Sequence, residues 1–166
     1  GFRLNEDVER YHAAGIHSLN VSVDSLNAER FEKITRSDKL PAILEGLQKA
    51  RTLGFRQIKT NAVLLRGLND QDFFELVDWS VSSGMDVRFI ELMQTGDNIL
   101  FYKNHYCDLA PFKDALEQKG WIREARTPNA GPADLYKHPR LPGRIGFIRP
   151  SMNHFCDTCN RLRVRF

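Results

Sequence analysis

Residues 19–24, Leu-Asn-Val-Ser-Val-Asp, alternate strictly, with Leu19, Val21 and Val23 facing one way and Asn20, Ser22 and Asp24 the other. That period predicts a strand with one polar side. Before it, Asn5 with Glu6 and Asp7 reads as an N-cap and acidic first turn, and Val8, Tyr11 and His12 recur at helical spacing until Gly15. After it, Asn27 is placed to cap a short helix containing Phe31 and Ile34. Asp38 is placed to cap a second one, with Leu40, Ile43, Leu44 and Leu47 on one face and Gly54 at its end. The β-rich run 57–65 puts Lys59 and Asn61 on a shared face. A helix from about Asn69 carries the stripe Phe73, Leu76, Val77 and Val81 and stops at Gly84, and 87–93 reads as a third strand.

Strands separated by capped amphipathic helices predict βαβ units and a parallel sheet, hence an α/β class. Parallel strands are normally apolar on both faces, so the polar positions Asn20, Ser22, Asp24, Lys59 and Asn61 call for a reason. A barrel or partial barrel supplies one, because its inner face lines a site and ligands gather at the C-terminal strand ends, where Asp24 and Met93 fall. Three strands and four helices before residue 94 are too few to close a barrel. Beyond Met93 the rhythm changes. Residues 94–104 read as a loop and 108–119 as a helix with Pro111 in its first turn and Gly120 after it. Residues 133–137 and 144–148 read as a two-strand ribbon across a turn-rich stretch. The division expected is 1–93, a partial barrel, and 94–166, a second layer leaning on it.

Composition changes this picture little: 166 residues, 42% hydrophobic and 27% charged, suffice for one sizeable core. The 24 basic and 21 acidic residues leave a small surplus, but three arginines crowd the last six positions. Three cysteines, two of them in Cys-x-x-Cys, favour a reducing compartment with thiolates serving metal or redox chemistry, so a cytoplasmic location is expected. No apolar run has the length of a membrane span, and no membrane partner is expected. The start, Gly-Phe-Arg-Leu-Asn, lacks an initiator methionine and the shape of a signal peptide, so a beginning in mid-protein is expected.

Cys156 and Cys159 are spaced so that both sulfurs reach one metal or cluster from a single turn. Spacing leaves open a zinc site completed by two further ligands, for which His154, His138 and Cys107 are candidates, an iron-sulfur cluster with at least a third ligand, and a redox dithiol. Arg161 and Arg163, projecting to one side if extended, suit a phosphate-rich anion or simply form a solvated basic end. Lys59 is sharper: a lysine among apolar strands must meet an anion or bear the cost of desolvation, unless the register points it outward. Ser22 and Asp24 could hydrogen-bond a ligand or nearby backbone. Met93 suits packing as well as ligand contact.

Taken in order, Leu19-Asn20-Val21-Ser22-Val23-Asp24-Ser25, Ile58-Lys59-Thr60-Asn61, Arg66-Gly67-Leu68-Asn69-Asp70, Arg88-Phe89-Ile90-Glu91-Leu92-Met93, Ile145-Gly146-Phe147-Ile148 and Phe155-Cys156-Asp157-Thr158-Cys159-Asn160-Arg161-Leu162-Arg163 resemble the GTP 3′,8-cyclase family of radical S-adenosylmethionine (SAM) enzymes over nearly the whole chain. The resemblance implies part of an incomplete (β/α)6 radical SAM barrel followed by a small α+β C-terminal region. It implies that Ser22 and Met93 contact SAM, that Lys59, Arg161, Leu162 and Arg163 bind GTP, and that Cys156 and Cys159 ligate a 4Fe-4S cluster, the second of two in the family. The activity implied is the radical conversion of GTP to 3′,8-cyclo-7,8-dihydroguanosine 5′-triphosphate in molybdenum cofactor biosynthesis, with a cyclic pyranopterin monophosphate synthase acting on the product.

The family's Cys-x-x-x-Cys-x-x-Cys motif for the SAM cluster, a third cysteine after Cys159 and a double-glycine tail are not among these residues. The chain by itself is therefore expected to be inactive. An opened barrel exposes sheet edge and apolar surface, so pairing of two copies is expected. The competing reading is a zinc-binding module with a basic nucleic-acid-contacting end. The sequence lacks the interleaved stacking aromatics that such a module uses, and no nucleic-acid partner is expected.

Overall fold

A computed structural model describes residues 1, 3–125 and 131–149. Cys156, Cys159, Arg161, Leu162 and Arg163 lie outside the described residues, as does His154. The described chain is mixed α/β. Its helices are α1 (Leu4–Ala13), α2 (Ala28–Thr35), α3 (Leu40–Thr52), α4 (Phe73–Ser83), α5 (Ile99–His105) and α6 (Ala110–Gln118). Its strands are β1 (Ser18–Ser22), β2 (Gln57–Leu64), β3 (Asp86–Glu91), β4 (Ile122–Arg123), β5 (Asp134–Lys137) and β6 (Ile145–Ile148). One six-stranded sheet runs β1-β2-β3-β6-β5-β4, and among the described residues it is open at β1 and β4.

The first three strands are parallel and joined by helices, as their period required. The ribbon expected after residue 130 is present as the antiparallel pair β5–β6. It does not stand apart: β6 runs parallel beside β3, with Phe89 opposite Phe147, so strands from both stretches share one sheet. A pairing between residues some sixty positions apart leaves no local period to read.

The apolar faces of β1, β2, β3 and β6 are buried under helices. Val21, Val23, Ile58 and Met85 pack with Leu4, Val8, Phe31, Leu40, Ile43, Leu47 and Ala50 of the first helices. Ala62, Leu64, Val87, Phe89, Ile145 and Phe147 pack with Phe73, Leu76 and Val77 of α4 and with Leu109, Leu116 and Trp121 around α6. At about 25 cal/mol per Å² these clusters are the principal source of stability. Helices α1 and α3 meet closely at Gly46, where a Cβ would lie 2.7 Å from the Asn5 backbone nitrogen.

Several ends differ from expectation. Asn27 caps α2 by accepting from the Arg30 amide at 3.0 Å, as predicted. Asn5 does not cap α1, which begins one residue earlier; its Nδ2 donates to Glu45 Oε2 on α3 at 2.8 Å. Nor does Asp38 cap α3, whose boundary residue is Lys39 with a proline in the first turn; Asp38 instead lies 3.4 Å from the Lys39 ammonium. The segment expected to be a loop contains α5, whose consecutive Ile99, Leu100 and Phe101 are all exposed and so give no amphipathic stripe. Polar ends hold this helix. Asn98 accepts from the Thr95 amide and donates to the Met93 carbonyl, while the Arg66 guanidinium donates to the Lys103 and Asn104 carbonyls at the other end. Among the described residues no helix is long and apolar enough to cross a membrane.

Candidate functional site

The face of the sheet away from the helices carries two polar rows and one apolar row, which the parallel register lines up across the strands. Asn20 stands opposite Lys59, Lys59 opposite Asp86, and Arg144 follows on, one residue before the pair Val87–Ile145. The next row toward the C-terminal strand ends is Ser22, Asn61, Arg88 and Gly146. The third is Val63, Ile90 and Ile148, with Asp24 beyond the end of β1. A half-buried lysine therefore sits in the middle of a polar row, the inward register expected for it.

Arg88 is the residue that the sequence reading passed over. It is 6% exposed, its Nε donates to Asn61 Oδ1 at 2.9 Å, and its Nη2 donates to Asn20 Oδ1 one row down. The argument applied to Lys59 would have found it, since a cation flanked by apolar strand residues requires partners. Its stem lies over Gly146, where a Cβ would come 2.9 Å from Arg88 Cγ and 3.3 Å from Ala133 Cβ and Leu135 Cδ2. Below, Arg144 grips Asp86 through both ends of its fork, Nη2 to Oδ2 at 2.7 Å and Nε to Oδ1 at 3.2 Å, and Gln57 Nε2 adds a weaker bond at 3.4 Å.

The strand ends are fastened by Asn69, which is fully buried. Its Nδ2 donates to the Asp24 and Val63 carbonyls at 2.6 and 3.0 Å, and its Oδ1 accepts from the Leu65 amide at 2.7 Å. Asp24 Oδ1 accepts from the Val63 amide at 2.9 Å, so of the two roles open to Asp24 the backbone contact is realised. Burial pushes the Asp24 carboxyl above the usual range, and the Val63 amide opposes the shift. Ser22 is exposed on the polar face at the end of β1, and Met93, 52% exposed, follows the end of β3 by two residues.

On the helix side of the same strand end, Glu91 is 2% exposed and faces residues 106–109. There burial, reinforced by the Glu91 charge, pushes the Tyr106 hydroxyl up to about 12. Cys107 belongs to the core, and burial with nearby Asp70 and Asp108 pushes its thiol up to about 11. A thiol so placed is a poor metal ligand at neutral pH. His138 lies against Trp121, with ring centroids 5.8 Å apart. Among the described residues no group of three or more His, Cys, Asp or Glu side chains is arranged to hold a metal. The polar face instead gathers a lysine, a clamped arginine, two amides and an exposed hydroxyl together with the carboxyl groups of Asp86 and Asp24, an array able to hydrogen-bond a polar ligand.

Residues 1–80 match the radical SAM superfamily model, and residues 85–166 match the model described as Molybdenum Cofactor Synthesis C. Among curated proteins, the chain is 43% identical over 164 residues to a GTP 3′,8-cyclase of Tolumonas auensis, and 42% identical over 164 residues to one of Pasteurella multocida. A third, from Aeromonas hydrophila, is 41% identical over 164 residues. These alignments cover 99% of the chain and 48 to 49% of the relatives, so the chain spans about half the length of the curated relatives it matches.

Proposed function

We propose that the chain, whose residues 1–80 match the radical SAM superfamily model and whose residues 85–166 match the Molybdenum Cofactor Synthesis C model, works as part of a GTP 3′,8-cyclase. The observation that carries the reading is the polar face of the parallel sheet, where Lys59 lies one row below Ser22 and the clamped Arg88. In this reading Lys59 binds GTP through its phosphates, because a half-buried ammonium on a ligand-facing strand gains most from a multiply charged anion. Ser22 and Met93, both accessible near the C-terminal strand ends, contact SAM. A hydroxyl suits its polar groups and a thioether its apolar ones, so the residues present fit that cofactor. Radical chemistry is what SAM supplies when bound with a reduced 4Fe-4S cluster.

Cys156 and Cys159 would hold the second cluster, with Arg161, Leu162 and Arg163 against GTP. The division in this reading is 1–93 for the partial radical SAM barrel and 94–166 for the start of the C-terminal region. The chain's own task is to bind and orient the ribose and to keep water out. We place the protein in the cytoplasm as a dimer whose product passes to a cyclic pyranopterin monophosphate synthase. The 166 residues alone contain two of the family's cluster cysteines and are expected to show no turnover.

The test is Lys59→Gln in the full-length protein, reconstituted anaerobically. GTP binding is expected to weaken at least tenfold with SAM binding unchanged, and the wild type to give the 3′,8-cyclised nucleotide by mass spectrometry. Equal GTP affinity in variant and wild type removes Lys59 from the site, and a wild type without cyclised product overturns the activity.

A further inference from the structure

We propose that Asn98 is a positioning residue for the SAM site, holding Met93 where it meets the cofactor; this rests on the reading of Met93 given above. Met93 lies two residues past the end of β3, and at 52% exposure little packing fixes it. Residues 93–97 are exposed throughout, whereas Asn98 is half-buried. Among the described residues, the side-chain hydrogen bonds that reach this stretch all come from Asn98. Its Nδ2 donates to the Met93 carbonyl at 2.9 Å, and its Oδ1 accepts from the Thr95 amide at 2.7 Å. The Asn98 amide adds a bond to the Thr95 carbonyl at 3.3 Å. A carbonyl fixed in space fixes its peptide plane, and with it the backbone from which the Met93 side chain leaves.

An asparagine at a helix start ordinarily turns its side chain forward, to accept from the amides of the first turn. At the start of α5 no such bond is made, and both polar ends of the Asn98 side chain reach back along the chain instead. The side chain therefore serves the segment before the helix, and the helix gives it a firm base. The Asn98 carbonyl accepts from the Tyr102 amide at 2.7 Å. The far end of α5 is moored to the loop after β2: Arg66 Nη2 donates to the Lys103 and Asn104 carbonyls at 2.9 and 3.2 Å, and the Arg66 amide donates to the His105 carbonyl at 2.9 Å. Met93 is thus tied to β2 through α5 as well as to β3 through the chain. Strand β2 is also the neighbour that pairs with Ser22 of β1, so the tie relates the two SAM-contacting residues to one strand. A binding constellation works only when its members are held to within about 0.5 Å, and Asn98 supplies that constraint for an otherwise exposed residue.

The test measures SAM and GTP affinity by equilibrium dialysis in the full-length protein, reconstituted anaerobically. Asn98→Ala removes both side-chain bonds and is expected to weaken SAM binding about tenfold, the scale of one or two net hydrogen bonds, with GTP affinity within about twofold of wild type. Asn98→Asp keeps an acceptor for the Thr95 amide and loses only the donor to Met93. It is expected to lose SAM affinity at an unchanged melting temperature, which separates positioning from folding. Met93→Ala is expected to weaken SAM binding by itself, and adding Asn98→Ala to it to weaken binding by less than about twofold more, since one residue acts through the other. Wild-type SAM affinity in Asn98→Asp, a GTP affinity that falls in step with that for SAM, or losses that multiply in the double variant overturn the proposal. If Met93→Ala binds SAM as tightly as wild type, the Met93 reading fails and the proposal with it. Weak binding by Met93→Ala beside unchanged binding by the Asn98 variants refutes the positioning role alone.

Discussion

The two faces of the sheet are made by the same strands and do opposite work. On the helix side, Val87, Phe89, Ile145 and Phe147 are almost fully buried among other apolar side chains, with the Phe73 ring 4.5 Å from that of Phe89 and 6.2 Å from that of Phe147. On the other side the intervening residues Arg88 and Gly146 belong to a polar row, with Asn61 and Ser22. The first face is undemanding about identity, because apolar bulk of the right size fills it. The second is demanding, because each buried polar group needs a partner of matched geometry. Stability is therefore concentrated on one face and the proposed recognition surface is the other, a division that would break if either face did the other's work.

The largest effect is expected from the apolar face. Phe89→Ala removes a fully buried ring packed between Phe73 and Phe147 and is expected to cost about 3–5 kcal/mol in urea unfolding. Lys59→Gln, on the opposite face, is expected to change stability by less than about 1 kcal/mol while losing GTP affinity. A Lys59 variant that unfolded as readily as the Phe89 variant would end the division of labour.

Next comes the clamp where the two faces meet. Asn69→Ala strands the Leu65 amide and leaves the Asp24 and Val63 carbonyls without their side-chain donor. The expected loss is about 3 kcal/mol, since an unsatisfied buried group costs roughly 1–3 kcal/mol. Chemical denaturation reads it, and a loss below about 1 kcal/mol would mean that water takes over the contacts.

What the sequence revealed follows the same line. The alternation in residues 19–24 and 57–65 placed Leu19, Val21 and Ile58 on the helix-covered face and Asn20, Lys59 and Asn61 on the other, because strand period alone decides the face. The helix stops at Gly84 and Gly120 were legible too: both glycines take the left-handed backbone region that ends a helix. The pairing of β6 with β3 was not legible, nor was the clasp of Asn20 and Asn61 on Arg88, since both join residues far apart in the chain. Helix α5 was missed for a different reason: its stability comes from Asn98 and Arg66 at its ends, not from a buried stripe. Ser22 and Lys59 fall on the polar face that strand period assigns them, Met93 lies two residues beyond β3 although the expected strand reached it, and Arg88 was overlooked although the reasoning used for Lys59 applied to it equally.

Gly146→Ala sharpens the comparison from the polar side. The added methyl meets Arg88 Cγ at 2.9 Å, and the other neighbours, Ala133 and Leu135, are themselves packed. Overpacking of this kind costs about 1–3 kcal/mol, and the guanidinium can relieve part of it only by leaving Asn20 and Asn61. Thermal unfolding is expected to shift modestly while GTP affinity falls severalfold. A stability loss with unchanged affinity would make the Arg88 clasp purely structural.

The smallest effect concerns a single proton at the strand ends. Burial raises the Asp24 pKa above its unfolded value of 3.8, so the folded state holds the proton to higher pH than the unfolded chain does. In the window from the unfolded pKa up to the raised folded one the native state binds more protons, and the linkage slope is therefore negative. The stabilisation from protonated Asp24 is complete below the unfolded pKa and is lost as pH rises through the folded one. Asp24→Asn keeps an acceptor for the Val63 amide and removes the ionisation. It is expected to leave unfolding free energy at pH 7 unchanged or slightly raised, and to flatten its dependence on pH across that window. Urea unfolding of wild type and variant at several pH values between 4 and 7 measures the difference in slope. Parallel curves would show that Asp24 titrates as an exposed acid does, and that the polar face is wetter at its open end than its burial indicates.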